Sequence, residues 1–262
     1  MKKIELVKQE HNVTIGDDCG DIEPNVTEDS LFIENGEVIG FYIADLAKYS
    51  EKASKLAHLA NNELRSKRVP KSVMKRSSGF DNPENDVSQY STILGSCLPK
   101  PHLGRTYATR SSVHNVESAK NFVKAMYLLC REAEEIIKEL APTIYEEQKK
   151  LIEETVPEKW RFGRLFTSSI SNYNIPANFH IDHANIKGCC NVIIAKKNNA
   201  TGGHTTVPDY GATVNSCDNS MLVYPAWRNI HGVTPIIPTS KDGYRNTPVS
   251  YTHLTLPTIL LV

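Results

Sequence analysis

From Trp160 onward the chain is a succession of short runs rich in Val, Ile, Thr, Phe and Tyr, each closed by turn residues. The runs occupy 162–173, 178–183, 189–196, 204–208, 212–215, 220–224, 230–236 and 244 onward. Regular short strands of this kind predict a β-sandwich or barrel. The residues before Trp160 follow a different period. Leu46, Tyr49, Ala53, Leu56, Ala60 and Leu64 keep a three–four spacing, which predicts an amphipathic helix over 45–65. Ala119, Phe122, Val123, Met126, Cys130, Ala133, Ile137 and Leu140 form the apolar face of a second helix over 116–140, which Pro142 ends. A shorter helix is expected over 143–153. The stretch 66–113 reads as loop, because Gly79, Pro83, Pro99 and Pro101 interrupt any regular element. Leu31–Ile43 reads as a β-hairpin, with Asn35-Gly36 suited to a type I′ turn. The fold class expected is α+β: a helical N-terminal part, 1–159, buttressing an all-β part from 160, with no flexible linker between them.

Composition narrows the function. The chain has 262 residues, 40% hydrophobic and 23% charged, which is the balance of an ordinary globular protein with a sizeable core. Its 30 basic and 30 acidic side chains give zero net charge, which excludes a globally basic nucleic-acid binder but not a local basic stripe. No apolar run approaches the roughly 18–20 residues that span a bilayer, and the first ten residues lack the apolar core of a signal peptide. The expectation is a cytoplasmic protein with no membrane partner. The six cysteines form no Cys-x-x-Cys pair and read as reduced, small hydrophobic residues. Adjacent Cys189 and Cys190 would point to opposite faces of a strand and so could not share one ion. The Asp-rich loop at 16–21 lacks the glutamate spacing of an EF-hand. Residues 249–262 carry no charge and resemble one reading frame of a sequencing adaptor. They are expected to be a non-native tail on a single domain of 1–248. On that reading the strand after Arg245 is lost and a sheet edge is left open.

The most informative stretch is Phe179-His-Ile-Asp-His183. His180 and Asp182 lie two apart, so on a strand both project from one face. His231, in Asn229-Ile-His-Gly-Val-Thr-Pro235, follows 49 residues after Asp182. Two histidines and one carboxylate are the facial triad of non-haem Fe(II) oxygenases, which leaves coordination positions open. His183 would face away from the pair, behind the site or in the core. Arg245 follows His231 by fourteen residues. An α-keto diacid needs a cation some distance from the metal to grip its remote carboxylate, and Arg245 is suitably placed.

The pattern His180-x-Asp182…His231…Arg245 resembles the Fe(II)/2-oxoglutarate-dependent dioxygenase superfamily, whose fold is a double-stranded β-helix (jelly roll). Gly202-Gly-His-Thr-Thr-Val-Pro-Asp-Tyr210 and His231-Gly-Val-Thr-Pro235 look like the branch of the base-J-binding and ten-eleven-translocation (TET) oxygenases and their phage relatives. The resemblance covers 160–248. It implies iron ligation by His180, Asp182 and His231, and an ion pair between Arg245 and the C5 carboxylate of 2-oxoglutarate. Tyr173 and Asn191 are the hydrogen-bond partners it suggests for the co-substrate. The implied reaction consumes O2, converts 2-oxoglutarate to succinate and CO2, and hydroxylates a C–H bond, with ascorbate as an accessory reductant. For this branch the target is a nucleobase methyl group, thymine or 5-methylcytosine in DNA, and a phage-encoded member would act in the host cytoplasm.

A DNA substrate also needs phosphate contacts. Arg65–Arg76 places six basic residues in twelve, with Lys67, Arg68 and Lys71 as its candidates for a phosphate backbone. Lys100, His102, Arg105 and Arg110 extend the basic character. The competing reading is a solvated charged loop. Trp227 is equally suited to stack on a base or to plug the barrel end, and His204 is a candidate pocket residue. Two alternatives stay open: hydroxylation of an amino acid or protein side chain, and a catalytically silent jelly-roll binding module.

Overall fold

The structure, a computed structural model, describes residues 1–78, 88–98 and 108–252. In chain order its first strands are β1 (Lys2–Glu5), β2 (Ser30–Glu34), β3 (Glu37–Ile43), β4 (Arg76–Ser78), β5 (Gln89–Cys97) and β6 (Thr109–Arg110). Then come β7 (Ser168–Tyr173), β8 (Ala177–His180), β9 (Asn191–Ile194), β10 (Lys196–Asn198), β11 (Ala200–Gly202) and β12 (Thr205–Val207). The last are β13 (Ala212–Val214), β14 (Met221–Tyr224), β15 (His231–Val233), β16 (Ile236–Pro238) and β17 (Tyr244–Tyr251). Three α-helices, α1 (Glu51–Arg65), α2 (Lys120–Leu140) and α3 (Pro142–Thr155), precede β7.

The larger sheet runs β1-β2-β3-β14-β9-β17-β7-β5-β4, with β10 also on β17 and β6 also on β5. The smaller sheet runs β13-β12-β15-β8. From β7 the chain alternates between the two: β7 large, β8 small, β9 large, β12 small, β14 large, β15 small, β17 large. That alternation, with a cavity lined from both sheets, is the double-stranded β-helix. The larger sheet keeps a period of two along β9, β14 and the end of β3. Phe41, Ile43, Val192, Ile194, Met221 and Val223 pack with α1 and α2 on its outer face. Their neighbours Tyr42, Leu222 and Tyr224 pack on the inner face with Val214 of the smaller sheet.

The predicted helices form, with shifted ends. Ser50 caps α1 by accepting from the Ala53 N–H, so the helix starts at Glu51, and 46–48 make a separate 3-10 turn. Helix α2 ends where Ala141 leaves helical geometry, and Pro142 opens α3 as its first residue, where a missing N–H costs nothing. Phe122, Met126, Leu129 and Ile137 of α2 are fully buried, and each such side chain stabilises the fold by about 1.5–3 kcal/mol. The hairpin turn forms as expected, with Asn35 and Gly36 both at positive φ. Cys189 and Cys190 pack into different clusters, on opposite sides of the chain, and all six thiols are free.

Three expectations change. The stretch 66–113 contains β5, nine residues long, paired with β7 from Tyr90↔Tyr173 to Gly95↔Ser168. Its inner residues Ser91 and Ile93 line the cavity and its outer residues Tyr90 and Leu94 meet the helices, so both faces are covered and no polar alternation marks it. The part before 160 is therefore not simply helical: β1–β3 extend one end of the larger sheet and β4–β6 the other. The run 162–173 is strand only from Ser168. Finally, the last strand is not lost: β17 runs on to Tyr251, three residues into the tail expected from 249. Val249, Ser250 and Tyr251 pair with β7, and Val249 and Ser250 pair with β9 as well, so no sheet edge opens there. Residues 253–262, like Lys100, His102 and Arg105, lie outside the described residues. No helix among the described residues is long and apolar enough to cross a membrane.

Candidate active site

β8 ends at His180 and β15 begins at His231, and the two residues are register partners. Their rings lie 4.3 Å apart between centroids. Asp182 sits just past the end of β8, where its N–H donates to the Ala226 carbonyl. One ligand atom from each of His180, Asp182 and His231 lies within 4.8 Å of the other two. The Asp182 Oδ1 to His180 Nε2 distance is 3.7 Å. His183 is exposed rather than buried behind the site.

The ring tautomers follow from the partners. His180 Nδ1 lies 2.7 Å from the Asn178 carbonyl oxygen, and His231 Nδ1 lies 2.9 Å from that of Asn229. A carbonyl only accepts, so each Nδ1 carries a proton and Nε2 is the ring atom left to face a metal. Burial, and next the adjacent His180, push the His231 imidazole down to about 4, so it is neutral at pH 7. Asp182 Oδ2 accepts from Asn191 Nδ2 at 2.8 Å and from Asn185 Nδ2 at 3.3 Å. Two imidazole nitrogens and one carboxylate oxygen form a donor set suited to a divalent first-row metal such as Fe(II).

These three residues line a cavity of about 570 Å³ that also receives Arg245. Arg245 is 2% exposed. Its Nε donates to Ser216 Oγ at 2.8 Å, and among the described residues no carboxylate pairs with its guanidinium. Burial alone pushes it down to about 10, still charged at neutral pH. The side chain lies across Gly203, where a Cβ would stand 2.3 Å from Arg245 Cδ and where φ is +71°. Glycine at 203 is what lets the arginine pass. A buried cation without a protein anion is costly, and it fits an acidic group brought by a ligand.

Other expected residues fall elsewhere. Tyr173 does not reach the cavity. It stacks between Tyr90, at 4.4 Å, and Tyr244, at 5.7 Å, on the helix-side face, and its neighbour Asn172 lines the cavity instead. Asn191 does line the cavity, with its amide turned to Asp182. His204 is buried but is not among the lining residues; its Nδ1 accepts from the Ser216 N–H behind Arg245. Burial, with Lys197 and Arg245 nearby, pushes that imidazole down to about 4. Trp227 is half-buried and likewise absent from the described lining.

The basic run divides by surroundings. Arg65 lies over the Tyr244 ring at 4.1 Å, and Arg68 pairs with Glu63 at 2.5 Å. Lys67 and Lys71 are exposed, and Lys75 lines the cavity opening with Ser72 and Met74. Arg110 lies on the same cavity. Sequence reasoning missed Asn185 and Ser216, which carry no motif, and took Gly203 only as part of the family-like segment Gly202–Tyr210.

Residues 98–254 match a protein-family model described as "Oxygenase domain of the 2OGFeDO superfamily" (Tet_JBP). Among solved structures the chain is similar to "NgTET1 in complex with 5mC DNA", with 14% identity, a TM-score of 0.62, and coverage of 94% of this chain and 84% of that one. It also matches a 2OG-Fe(II) oxygenase-family oxidoreductase from Burkholderia pseudomallei at 12% identity and TM-score 0.44, covering 81% and 84% of the two chains. OsALKBH1 matches at 12% identity and TM-score 0.45, covering 82% and 96%. Among curated proteins no sequence matches.

Proposed function

The chain belongs to the TET/JBP family of oxygenase domains in the 2OGFeDO superfamily, and on that premise we propose that it is an Fe(II)- and 2-oxoglutarate-dependent hydroxylase of a nucleobase methyl group in DNA. The observation that carries the reading is the joint presence, in one cavity, of the His180–Asp182–His231 cluster and the buried, carboxylate-free Arg245. His180 and His231 offer Nε2 and Asp182 offers Oδ1 to the metal. Arg245 takes the C5 carboxylate of 2-oxoglutarate, and the Ser216 hydroxyl holds its Nε in place. When bound, Fe(II) supplies the activation of O2 that couples decarboxylation to hydroxylation.

A cavity of about 570 Å³ falls within the usual range of ligand sites, roughly 300–1,000 Å³, and suits the co-substrate together with one base turned out of its stack. Lys75 and Arg110 on that cavity, with Lys67 and Lys71 outside it, supply cations for the flanking phosphates. A structural neighbour in the same fold was solved with 5mC DNA, which favours a methylated base over an amino-acid substrate.

The test is succinate formation from 2-oxoglutarate with Fe(II) and ascorbate, with and without thymine- or 5-methylcytosine-containing DNA. DNA-stimulated turnover that disappears in His180→Ala and Asp182→Ala supports the whole reading. Turnover indifferent to DNA removes the nucleobase. Absence of turnover in a chain that binds neither metal nor 2-oxoglutarate removes the oxygenase and leaves a silent module.

A further inference from the structure

We infer that Asn191 and Asn185 form an amide clamp that commits Asp182 to bind its metal through Oδ1 alone, making Asn191 a positioning residue rather than a co-substrate contact. The inference rests on the metal reading above.

The chain of hydrogen bonds has only one direction. Asp182, when ionised, can only accept, so Asn191 must turn its NH2 toward Oδ2, at 2.8 Å. That leaves Asn191 Oδ1 as an acceptor facing Asn185, which must turn its own NH2 outward, and Asn185 Nδ2 reaches Asn191 Oδ1 at 2.8 Å and Asp182 Oδ2 at 3.3 Å. The amide orientations are thus dictated by the carboxylate. Both asparagines are buried, and the orientation leaves Asn185 Oδ1 buried without a partner. An unpaired buried carbonyl persists only where the opposite end of the amide is needed, and here that end holds Asp182 and Asn191.

The backbone sets up the clamp independently of any ligand. The Asn185 N–H donates to the Asp182 carbonyl at 2.9 Å, closing a tight turn that swings the Asn185 side chain back over the carboxylate. Asn191 is the first residue of β9 and the register partner of Tyr224, so it is fixed by the larger sheet. Asp182 itself lies off the end of β8 and has no strand partner of its own. Two side chains from rigid neighbours therefore orient a ligand that the sheet does not. With Oδ2 occupied, Oδ1 is the oxygen turned to His180, at 3.7 Å. One carboxylate oxygen on the metal, rather than two, keeps a coordination position available for the co-substrate and O2.

The experiment measures Mn(II) affinity by calorimetry, and 2-oxoglutarate binding at saturating Mn(II), in the wild type, Asn191→Ala and Asn185→Ala. Apo-protein melting temperatures identify any variant that fails to fold. The clamp predicts Mn(II) affinity about 10–100-fold weaker in Asn191→Ala and a smaller loss in Asn185→Ala. Once metal is saturating, 2-oxoglutarate affinity should stay within a few-fold of wild type. Unchanged Mn(II) affinity with weakened 2-oxoglutarate binding overturns the clamp and returns Asn191 to a co-substrate contact. Unchanged binding of both in Asn191→Ala overturns it as well. If Asn191→Ala does not fold, Asn185→Ala decides alone, and Mn(II) affinity equal to wild type overturns the clamp. A wild type that binds no Mn(II) overturns the metal reading beneath it, a result the variants cannot mimic.

Discussion

Replacing Arg245 by methionine should separate binding from stability, moving them in opposite directions. The guanidinium is 2% exposed, and burial pushes it down to about 10. At about 1.4 kcal/mol per tenfold, that drop costs the folded protein roughly 3 kcal/mol for keeping the cation charged. The folded pKa lies below the unfolded one, so the cost is fully present at pH 7–8 and is relieved only as pH rises through about 10. Methionine keeps most of the aliphatic stem and forfeits the hydrogen bond to Ser216 Oγ, worth about 1 kcal/mol. The apo protein should gain about 1–2 kcal/mol, a few degrees in Tm. Binding should go the other way. A two-pronged guanidinium–carboxylate contact is worth about 3–4 kcal/mol, so 2-oxoglutarate affinity should fall roughly a hundred- to a thousandfold. The assay is a pair of melting curves for each protein, with and without 2-oxoglutarate and Mn(II), beside the KM for 2-oxoglutarate. Wild type should melt higher with ligand, and the variant should melt higher without it and respond little. A variant whose KM stays within threefold of wild type refutes the assignment of the C5 carboxylate. A variant that melts lower in the apo state refutes the claim that the buried charge is uncompensated.

Three further outcomes follow from the same geometry. Gly203→Ala would set a Cβ 2.3 Å from Arg245 Cδ at a residue with φ of +71°, so it should cost about 1–3 kcal/mol in stability, read as Tm, and raise the KM for 2-oxoglutarate. Glu134 is buried under α2, where its Oε1 accepts from the Leu165 N–H at 2.9 Å, and burial raises its carboxyl above the ordinary range. The folded state holds that proton more tightly than the unfolded chain, so ionisation costs stability as pH rises. Glu134→Gln should therefore melt higher than wild type above the ordinary carboxylate range, with the difference vanishing toward acid pH in a melting series from pH 4 to 8. Outside the cavity, Lys67→Ala with Lys71→Ala should lower the salt slope of DNA binding by about two, measured by anisotropy at several salt concentrations.

How far the site could be read from the sequence follows from what sets each feature. His180, Asp182, His231 and Arg245 are legible because spacing along the chain carries their chemistry, and the fold brings all four to one cavity. The Asn35-Gly36 turn is legible because positive φ at two successive residues selects those side chains. Features set by partners across a sheet are not legible. Tyr173 and Asn172 differ by one residue, and which of them faces the cavity depends on the register of β7 against β5 and β17. Strand β5 hides among prolines and serines because it is covered on both faces, so its own sequence has no polar side to reveal it. The same holds for the end of the chain's last strand. The change in composition at Val249 marks where the tail is expected to start, and where β17 stops is set by its pairing with β7 and β9. Asn185 is the clearest case. Alone it is one more asparagine in a turn, and it acquires meaning only when Asn191, six residues later and fixed by another strand, presents an acceptor that its amide must meet. Ligands that bear the metal can be recognised by type and interval. The residues that aim them are chosen by geometry that exists only after folding, so a search for positioning groups has to begin from the ligands' remaining lone pairs.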